Sequence, residues 1–461
     1  MRDLIIAHTM DKIGLTEDLQ KIRPDEWKLD CGVIMYKVAK PDSSLEKAYT
    51  YFKQTNIPDL KITQTTISQV YTSFNKRQLD TFLSLRNNRN QDAKFISLDN
   101  TAINTGAKDI IYTAYGHNKD SKAASQVNCL VTVNNQTELA SNYRIYWGNI
   151  NNLTAVRNMV QDNPEFNNHK FVITMDRGLH CKENIEFLAE KGVDFITGLS
   201  KRSALFSQAL ERVNLIRETP DQVYEGAAIG ETELILDQDQ NFKVRAVVLL
   251  DHQQRGEQIA TLSNRFSKIK KKLLKQVNKE QILNSRQRSK YRCFYLKQED
   301  NSQLSLEIDN EKYFQDYNLC GFYVLITTDF DSPMYEIIRQ YRNKDMFEKF
   351  YFNSPEDAIS RIAELPNHAS LDGICFYMFN ASIVRLYMNN VRSSIIKQKQ
   401  DYHNNKSLAT ILKELTRLKA IRQPNGKFEI PELKTEYRNL IEALGLDLQN
   451  LSNVVPKIFQ E

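Results

Sequence analysis

The stretch FVITMDRGLHCKENIEFLAEKGVDFITGLS, residues 171–200, decides the fold that we predict for this chain. It begins with β-branched and aromatic residues typical of a buried strand. A segment with helical periodicity follows, with Ile185, Leu188 and Ala189 on one face. The residues VDFITGL then form a second predicted strand. Strand, helix and strand in this order indicate a βαβ unit with parallel strands and a covering helix.

Asp176 comes directly after the first strand of this unit and is followed by Arg177 and Gly178. Ligands of open α/β sheets bind at the carboxyl ends of strands, so Asp176 is the first candidate for a functional residue. The alternative is an ordinary turn aspartate that caps the following helix. Both interpretations are open at this point.

Composition places the chain among globular proteins of several structural units. Its 461 residues are 41% hydrophobic and 26% charged. There is no apolar run long enough for a transmembrane helix and no secretory signal, so we expect no membrane partner. The six cysteines and seven histidines show no metal-binding spacing. They predict free thiols in a reducing, cytoplasmic environment and no zinc site.

Positive charge is concentrated in one segment. Arg265 to Arg292 contains eleven Lys or Arg and a single acid, Glu280, whereas the whole chain has a net charge of +5. Such a segment is typical of a face that binds a polyanion, and the alternative is a solvated helix face. Its most closely spaced lysines are Lys268, Lys270, Lys271, Lys272 and Lys275.

Residues 1–90 are predicted to be mainly helical. Ser43 or Ser44 is a candidate cap for one helix, and Thr65 or Thr66 for another. Two short helices that meet near Asn75 could form a DNA-binding helix pair. The alternative is that they pack into a core.

Strand patterns begin at Ala93. The stretches 93–101, 109–116, 126–133 and 138–149 have strand patterns, and three successive strands joined by short turns form an antiparallel meander. The predicted order is β-β-β-α-β-α-β. A helix over NLTAVRNMVQDN leads into the stretch 171–200. The result is a mixed sheet with helices on its faces, in which acids end the first and fourth core strands. Trp147, at the end of the meander, is either a packing residue or a base-stacking one.

We predict five regions in the α/β chain. They are a helical N-terminal region (1–90), the first half of a core (91–200), a β-rich insertion with the basic segment (201–320), the second half of the core (321–400) and a helical C-terminal tail at the periphery (401–461). Residues 369–390 are predicted to form an apolar, buried helix.

Three acids stand out by position. Asp99 ends the first core strand, Asp176 ends the fourth, and Glu348 lies on a late predicted helix, on one face with Tyr341 and Lys344. Acids at adjacent strand ends with a helix acid can bind two divalent cations about 3.5–4 Å apart, the arrangement used in phosphodiester cleavage and transfer. Hard oxygen ligands select Mg²⁺ or Mn²⁺.

At these residues the sequence resembles the DDE transposases of bacterial insertion sequences, in particular the subgroup with a large β-rich insertion before the third acid. The resemblance spans roughly residues 90–400. It rests on LDNT at Asp99, YGHNKDSK (115–122), NYRIYWGNI (142–150), DRG with its helix (176–191), GFYVLITT (321–328) and YRNKDMFEKFY (341–351).

The resemblance implies an RNase H-like fold and a bacterial, nucleoid-associated enzyme. Such an enzyme cuts double-stranded DNA at element ends and joins the freed 3′-hydroxyl to target DNA, as a homodimer on DNA. It implies that Asp99, Asp176 and Glu348 hold two Mg²⁺ or Mn²⁺ ions. Tyr341, Arg342 and Lys344 would contact DNA near the cut, and the five basic-segment lysines would follow the DNA backbone. Arg177 would either meet a phosphate or orient Asp176.

The sequence departs from the subgroup around its third acid. A Y-x₂-R-x₃-E-x₆-K motif is expected there, but Lys344 replaces the arginine and Pro355 replaces the final lysine. Lysine keeps the charge but loses the bidentate phosphate geometry of arginine. Two alternatives therefore stand beside an active transposase. One is a catalytically inactive, transposase-derived DNA-binding protein, and the other is an RNase H-like nuclease.

Overall fold

The computed structural model shows a mixed α/β chain that divides into two compact units. Unit 1 comprises Met1–Val193 and Arg342–Glu461, and unit 2 comprises Asp194–Tyr341. The predicted α/β class is confirmed. Among the described residues, none of the helices combines the length and the apolar character needed to span a membrane. The structure describes residues 1–41, 43–55, 57–60, 62–89, 93–104, 110–115, 125–150, 152–162, 171–177, 182–213, 222–237, 242–277, 293–298, 304–343, 368–399, 406–419, 421–422, 428–429, 432–447 and 455–460.

Unit 1 begins with helices, as the sequence predicts for this region. The expected cap at Thr65 or Thr66 is wrong, because the Thr63 side chain accepts the bond from the Thr66 amide. Asn75 caps the next helix in a capping box with Gln78. The helices are α1 (Arg2–Lys12), α2 (Leu15–Ile22), α3 (Trp27–Ala39), α4 (Ala48–Thr55), α5 (Gln64–Gln69) and α6 (Lys76–Asn88), with 3₁₀ turns at Leu45–Lys47 and Val70–Thr72.

The sheet of unit 1 is built around two long antiparallel strands. The elements are β1 (Phe95–Asn104), β2 (Ala114–Tyr115), β3 (Ser125–Asn134), β4 (Leu139–Trp147), α7 (Asn152–Gln161), β5 (Val172–Met175) and α8 (Lys182–Glu190). Strand β3 pairs antiparallel with β1, β2 and β4, and β1 pairs parallel with β5. The strand expected over 109–116 is reduced to β2, because a turn closes from the Thr113 amide to the Ile110 carbonyl.

Unit 2 continues the chain from Asp194. Its elements are β6 (Asp194–Gly198), α9 (Ala204–Arg212), β7 (Val223–Tyr224), β8 (Ala227–Asp237), β9 (Phe242–Asp251), α10 (His252–Val277), β10 (Phe294–Gln298), β11 (Leu304–Ile308), α11 (Asn310–Asn318), β12 (Phe322–Thr327) and α12 (Met334–Arg342). Strands β6, β12, β9, β8 and β7 lie side by side in that order, and each is antiparallel to its neighbour.

The second part of unit 1 contains the long helix α13 (His368–Lys399), which is buried over most of its length, as expected for residues 369–390. It is followed by α14 (Leu408–Leu415), the short strands β13 (Ile421–Arg422) and β14 (Phe428–Glu429), α15 (Thr435–Ala443) and a 3₁₀ turn at Lys457–Phe459. The expectation of a peripheral tail is wrong. Helices α14 and α15 bury their apolar faces in the same core as α1, α3 and α13.

Aromatic rings of α13 hold the centre of this core. Phe376 contacts Phe74 and Phe82, with ring centroids 4.2 and 4.8 Å apart, and Phe379 contacts Tyr143 at 4.7 Å. The apolar side chains of α5 and α6 are therefore committed to the core. This supports the core-packing interpretation of the two helices that meet near Asn75.

A buried ion pair ties α3 to α13. The Arg23 guanidinium lies 2.9 Å from the Asp30 carboxylate, and both side chains are almost completely buried. The Tyr377 hydroxyl donates to Asp30 at 2.6 Å, and Arg23 lies 4.2 Å from the Phe74 ring centre. Burial outweighs the attraction of Arg23 and raises the pKa of Asp30 to about 6.

We expect Asp30→Ala to lower the free energy of unfolding of unit 1 by about 3–5 kcal/mol, because it leaves Arg23 buried without its carboxylate. Urea unfolding followed by circular dichroism measures the change. The exposed carboxylate of Asp59 lies 3.4 Å from the Lys28 ammonium, so Asp59→Ala is the matched control. A loss below about 1 kcal/mol for Asp30→Ala would contradict the structural role of the pair.

The same carboxyl predicts a pH dependence. Its folded-state pKa of about 6 exceeds its ordinary value of 3.8, so folding takes up a proton between these values. The Asp30 contribution to stability is then greatest below pH 3.8 and is lost as pH rises through about 6. The difference in unfolding free energy between the wild type and Asp30→Asn should fall over this range. A difference that rises instead would contradict the assignment.

Candidate functional site

The structure brings Asp99 and Asp176 together at neighbouring strands of unit 1. Strands β1 and β5 are parallel and registered from Phe95 with Val172 to Leu98 with Met175. Asp99 and Asp176 each come directly after that last pair. Strand β5 ends at Met175, but β1 continues to Asn104 through its pairing with β3, so the prediction that Asp99 ends its strand is wrong. Because neighbouring strands are spaced about 4.8 Å apart, the two backbones lie about that distance from each other. The Asp99 side chain is half-buried and that of Asp176 is exposed.

Rigid strands support both acids. Two residues earlier, Ser97 and Thr174 form a registered pair on the same face and are buried. The Ser97 hydroxyl donates to the buried Asn135 side chain at 2.7 Å. On its other side, β1 is paired with β3, where Asp99 faces Val131. The acids therefore stand on a fixed backbone, as a preorganised site requires.

The alternative interpretation of Asp176, a turn aspartate that caps the following helix, stays a prediction. Helix α8 is described from Lys182, and residues 178–181, between Asp176 and this helix, lie outside the described residues. The predicted strand, helix and strand are present as β5, α8 and β6, and Ile185 and Leu188 are buried. Asp176 is left at the strand end, where a ligand would be expected.

The first two acids suit a divalent cation by their chemistry. Carboxylate oxygens are hard ligands of the kind that Mg²⁺ and Mn²⁺ prefer. Within the part of the chain that the structure describes, no group of three or more His, Cys, Asp or Glu could hold a metal. Glu348, the third predicted acid, and Lys344 lie outside the described residues.

The other residues predicted near the acids are placed as follows. Arg177 follows Asp176 and is exposed, so a phosphate contact and an ion pair both stay open. Tyr341 and Arg342 are half-buried at the end of α12. Within unit 2, the Tyr341 hydroxyl packs against Gly198 so closely that any side chain there would collide with it. Tyr341 is thus fixed at the end of β6.

The basic segment begins as the long helix α10 in unit 2. Its apolar side, Phe266, Ile269 and Leu273, packs against Phe294 and the β10–β11 hairpin. Lys268, Lys271, Lys272 and Lys275 follow helical spacing on the opposite side and are exposed. Lys270 is also exposed but lies off this stripe. The sequence prediction located the charge but did not assign this helix, because the lysine run masks its apolar periodicity.

Two functional candidates were missed by the sequence prediction. Gln126 and Asn128 are buried amides on β3 that hold the backbone after β4, through bonds to the carbonyls of Gly148 and Ile150. The signal available in the sequence was an amide at alternate positions of an otherwise apolar strand. Such residues are costly to bury unless they bond to something specific.

The fold and the acid pair define a mixed α/β protein with two carboxylates on neighbouring parallel strands. The chain belongs to the family described as Transposase DDE domain, whose model matches residues 90–344. It is thus a DDE transposase, the class of polynucleotidyl transferases and endonucleases that acts on DNA and generally uses divalent metal ions. The matched residues include Asp99, Asp176 and the basic helix and end four residues before Glu348.

No curated protein matches the chain. Among solved structures, the cryo-EM structure of the piggyBac transposase synaptic complex with hairpin DNA is similar at 10% identity, over 89% of this chain and 75% of that one, with a TM-score of 0.33.

Proposed function

We propose that this transposase cuts double-stranded DNA at the ends of a bacterial insertion sequence and joins the freed 3′-hydroxyl to target DNA. The observation that supports this most is the placement of Asp99 and Asp176 side by side on β1 and β5. Paired carboxylates at this spacing can share divalent cations during phosphodiester chemistry. We assign the enzyme to the cytoplasm, with DNA as its partner and a homodimer as the DNA-bound form.

Each acid has a stated role in this proposal. Asp99, Asp176 and Glu348 would hold two Mg²⁺ or Mn²⁺ ions, which supply charge stabilisation at the reacting phosphate. Asp99 is fixed by its pairing to β3 and presents its carboxylate from a rigid backbone. Asp176 is exposed at the strand end, where substrate can reach it. Arg177 would contact a phosphate or orient Asp176.

The chemistry consists of two displacements at phosphorus. In cleavage, the oxygen of water forms a bond to phosphorus and the 3′-oxygen of the element leaves and takes up a proton. In joining, the freed 3′-hydroxyl loses its proton and attacks a target phosphodiester, whose own 3′-oxygen leaves. The number of phosphodiester bonds is unchanged in the second step, so no external energy source is needed.

The residues around α10 and α12 would bind the DNA itself. Lysines contact phosphates as point charges and contribute affinity that does not depend on sequence. In the proposal, Lys268, Lys270, Lys271, Lys272 and Lys275 follow the backbone. Tyr341, Arg342 and Lys344 would contact DNA near the cut.

The proposal is tested with purified protein and linear DNA that contains the coding region of this chain with its natural flanks. With Mg²⁺ we expect cleavage at both ends and covalent joining to a supercoiled target plasmid. EDTA should stop both steps. Absence of both steps with Mg²⁺ and with Mn²⁺ would contradict the proposal.

A second candidate function follows from the changed motif around Glu348. An inactive DNA-binding descendant would bind DNA tightly, lose that binding with added salt, and show no metal-dependent cleavage. A nuclease of RNase H type would cut without joining. The joining product therefore separates all three candidates.

A further inference from the structure

An exposed tryptophan stands at the end of the unit 1 sheet. Trp147, the last residue of β4, leaves 43% of its surface exposed, and the nearby Ile111 and Tyr115 are exposed at 59% and 74%. Tyr112 meets the Trp147 indole edge-on, with ring centroids 5.8 Å apart and planes at 90°. The indole is thus supported at one side by a second ring while much of it faces solvent.

The backbone beneath this indole is held unusually firmly. The buried side chain of Asn128 donates to the carbonyls of Trp147, Gly148 and Ile150, at 3.3, 3.4 and 3.1 Å. The buried Gln126 amide donates to the Gly148 carbonyl at 2.9 Å. Gly148 also approaches the Gln126 carbonyl so closely that no side chain would fit there. Two buried amides therefore fix the backbone that carries the indole.

Strand register places Trp147 on the same face of the sheet as Asp99. Trp147 pairs with Val127, which pairs with Ile103, and Asp99 precedes Ile103 by an even number of residues. Trp147 and Asp99 are separated by four residues along the strand direction and by two strand spacings across the sheet. Together these offsets place the two residues about 16 Å apart. That separation corresponds to about five base-pair steps along duplex DNA, at about 3.4 Å for each step.

We propose that Trp147 stacks on an unpaired base of the DNA substrate within a few nucleotides of the cut. The proposal rests on the proposed cleavage role of Asp99 and Asp176. A fixed and partly exposed indole suits a base because every base has a flat π-face, and such stacking does not depend on sequence. Trp147 would then act as a positioning residue that holds the strand while the carboxylates engage the phosphate.

The test uses Trp147 as its own reporter. The chain has two tryptophans, so Trp27→Phe leaves Trp147 as the only one. The probes are a short duplex with one unpaired thymine and the same duplex fully paired, both in EDTA so that no cleavage occurs. We expect the unpaired base to quench the indole emission. Fluorescence anisotropy should show about tenfold tighter binding of the duplex with the unpaired base.

Three variants complete the experiment. Trp147→Ala should remove the preference for the unpaired base, and Trp147→Phe should keep part of it. Tyr335→Ala removes an aromatic ring of similar exposure in unit 2 and should leave the preference unchanged. Asp176→Asn should also leave it unchanged, so a failure of the proposed cleavage is distinguishable from a failure of stacking.

Equal affinity of the wild type for both duplexes would overturn the proposal, as would a preference that survives Trp147→Ala. If no DNA changes the indole emission, the exposed ring is assigned to a contact with a protein instead. That result also overturns the proposal. Circular dichroism of each variant separates these results from misfolding.

Discussion

Asp176→Asn is expected to abolish DNA cleavage while the protein stays folded and still binds DNA. The substitution keeps the shape of the side chain but removes a negative ligand that the proposed site cannot replace. Metal-assisted charge stabilisation contributes several kcal/mol at the transition state, so the rate should fall by about a thousandfold or more. The side chain is exposed, so the change in stability should stay within about 0.5 kcal/mol.

The measurement is the rate of strand cleavage on DNA with the natural flanks of the coding region, at saturating Mg²⁺. Asp99→Asn should give a comparable loss, and the double variant should lose little more, because residues that act as a unit are not additive. The control is Glu190→Gln, an exposed acid at the end of α8. Cleavage that survives Asp176→Asn would contradict the assignment of the site.

The second large effect concerns the basic helix. Replacing Lys268, Lys271, Lys272 and Lys275 together by glutamine should weaken DNA binding at low salt by about a hundredfold or more. The dependence of log affinity on log salt should become shallower by about 0.9 for each lysine that contacts a phosphate. Glutamine is nearly as good a helix former as lysine, and the apolar side of α10 is unchanged, so the helix should persist.

Lys243 and Lys312 provide the matched control for this variant. Both are exposed lysines of unit 2 that face a carboxylate, Glu233 at 3.5 Å and Asp309 at 2.8 Å. Their replacement by glutamine should leave the salt slope nearly unchanged. A solvated helix face with no DNA role predicts an unchanged slope for both variants, and that outcome would contradict the proposed contact.

The acid pair could be predicted because local pattern and strand topology agree there. A buried strand that carries Asp99 and another that ends just before Asp176 need only lie side by side, and the β1–β5 register shows that they do. The matched family model independently covers both residues. Glu348 stays a prediction, since it depends on a motif that departs from its family pattern and on residues outside those that the structure describes.

Other features could not be predicted, for physical reasons. The apolar stripe of α10 is interrupted by lysines, which dominate the composition of the helix. The packing of this stripe against the β10–β11 hairpin could therefore not be predicted from the sequence. Helices α14 and α15 read as polar because each buries only a narrow stripe, although that stripe completes the core around α1 and α13. The support of Trp147 by Gln126 and Asn128 depends on contacts about twenty residues apart, which no local pattern reveals.

The central claim is that Asp99, Asp176 and Glu348 converge on two divalent cations. It is tested most directly by a crystal structure of the protein bound to cleaved DNA with Mn²⁺, in which anomalous scattering locates the ions. We predict two Mn²⁺ peaks about 3.5–4 Å apart, in contact with carboxylate oxygens of all three acids. Glu348 carboxylate oxygens far more than about 10 Å from those of Asp99 and Asp176 would contradict the claim, because two bridging ions require convergence within ligand reach.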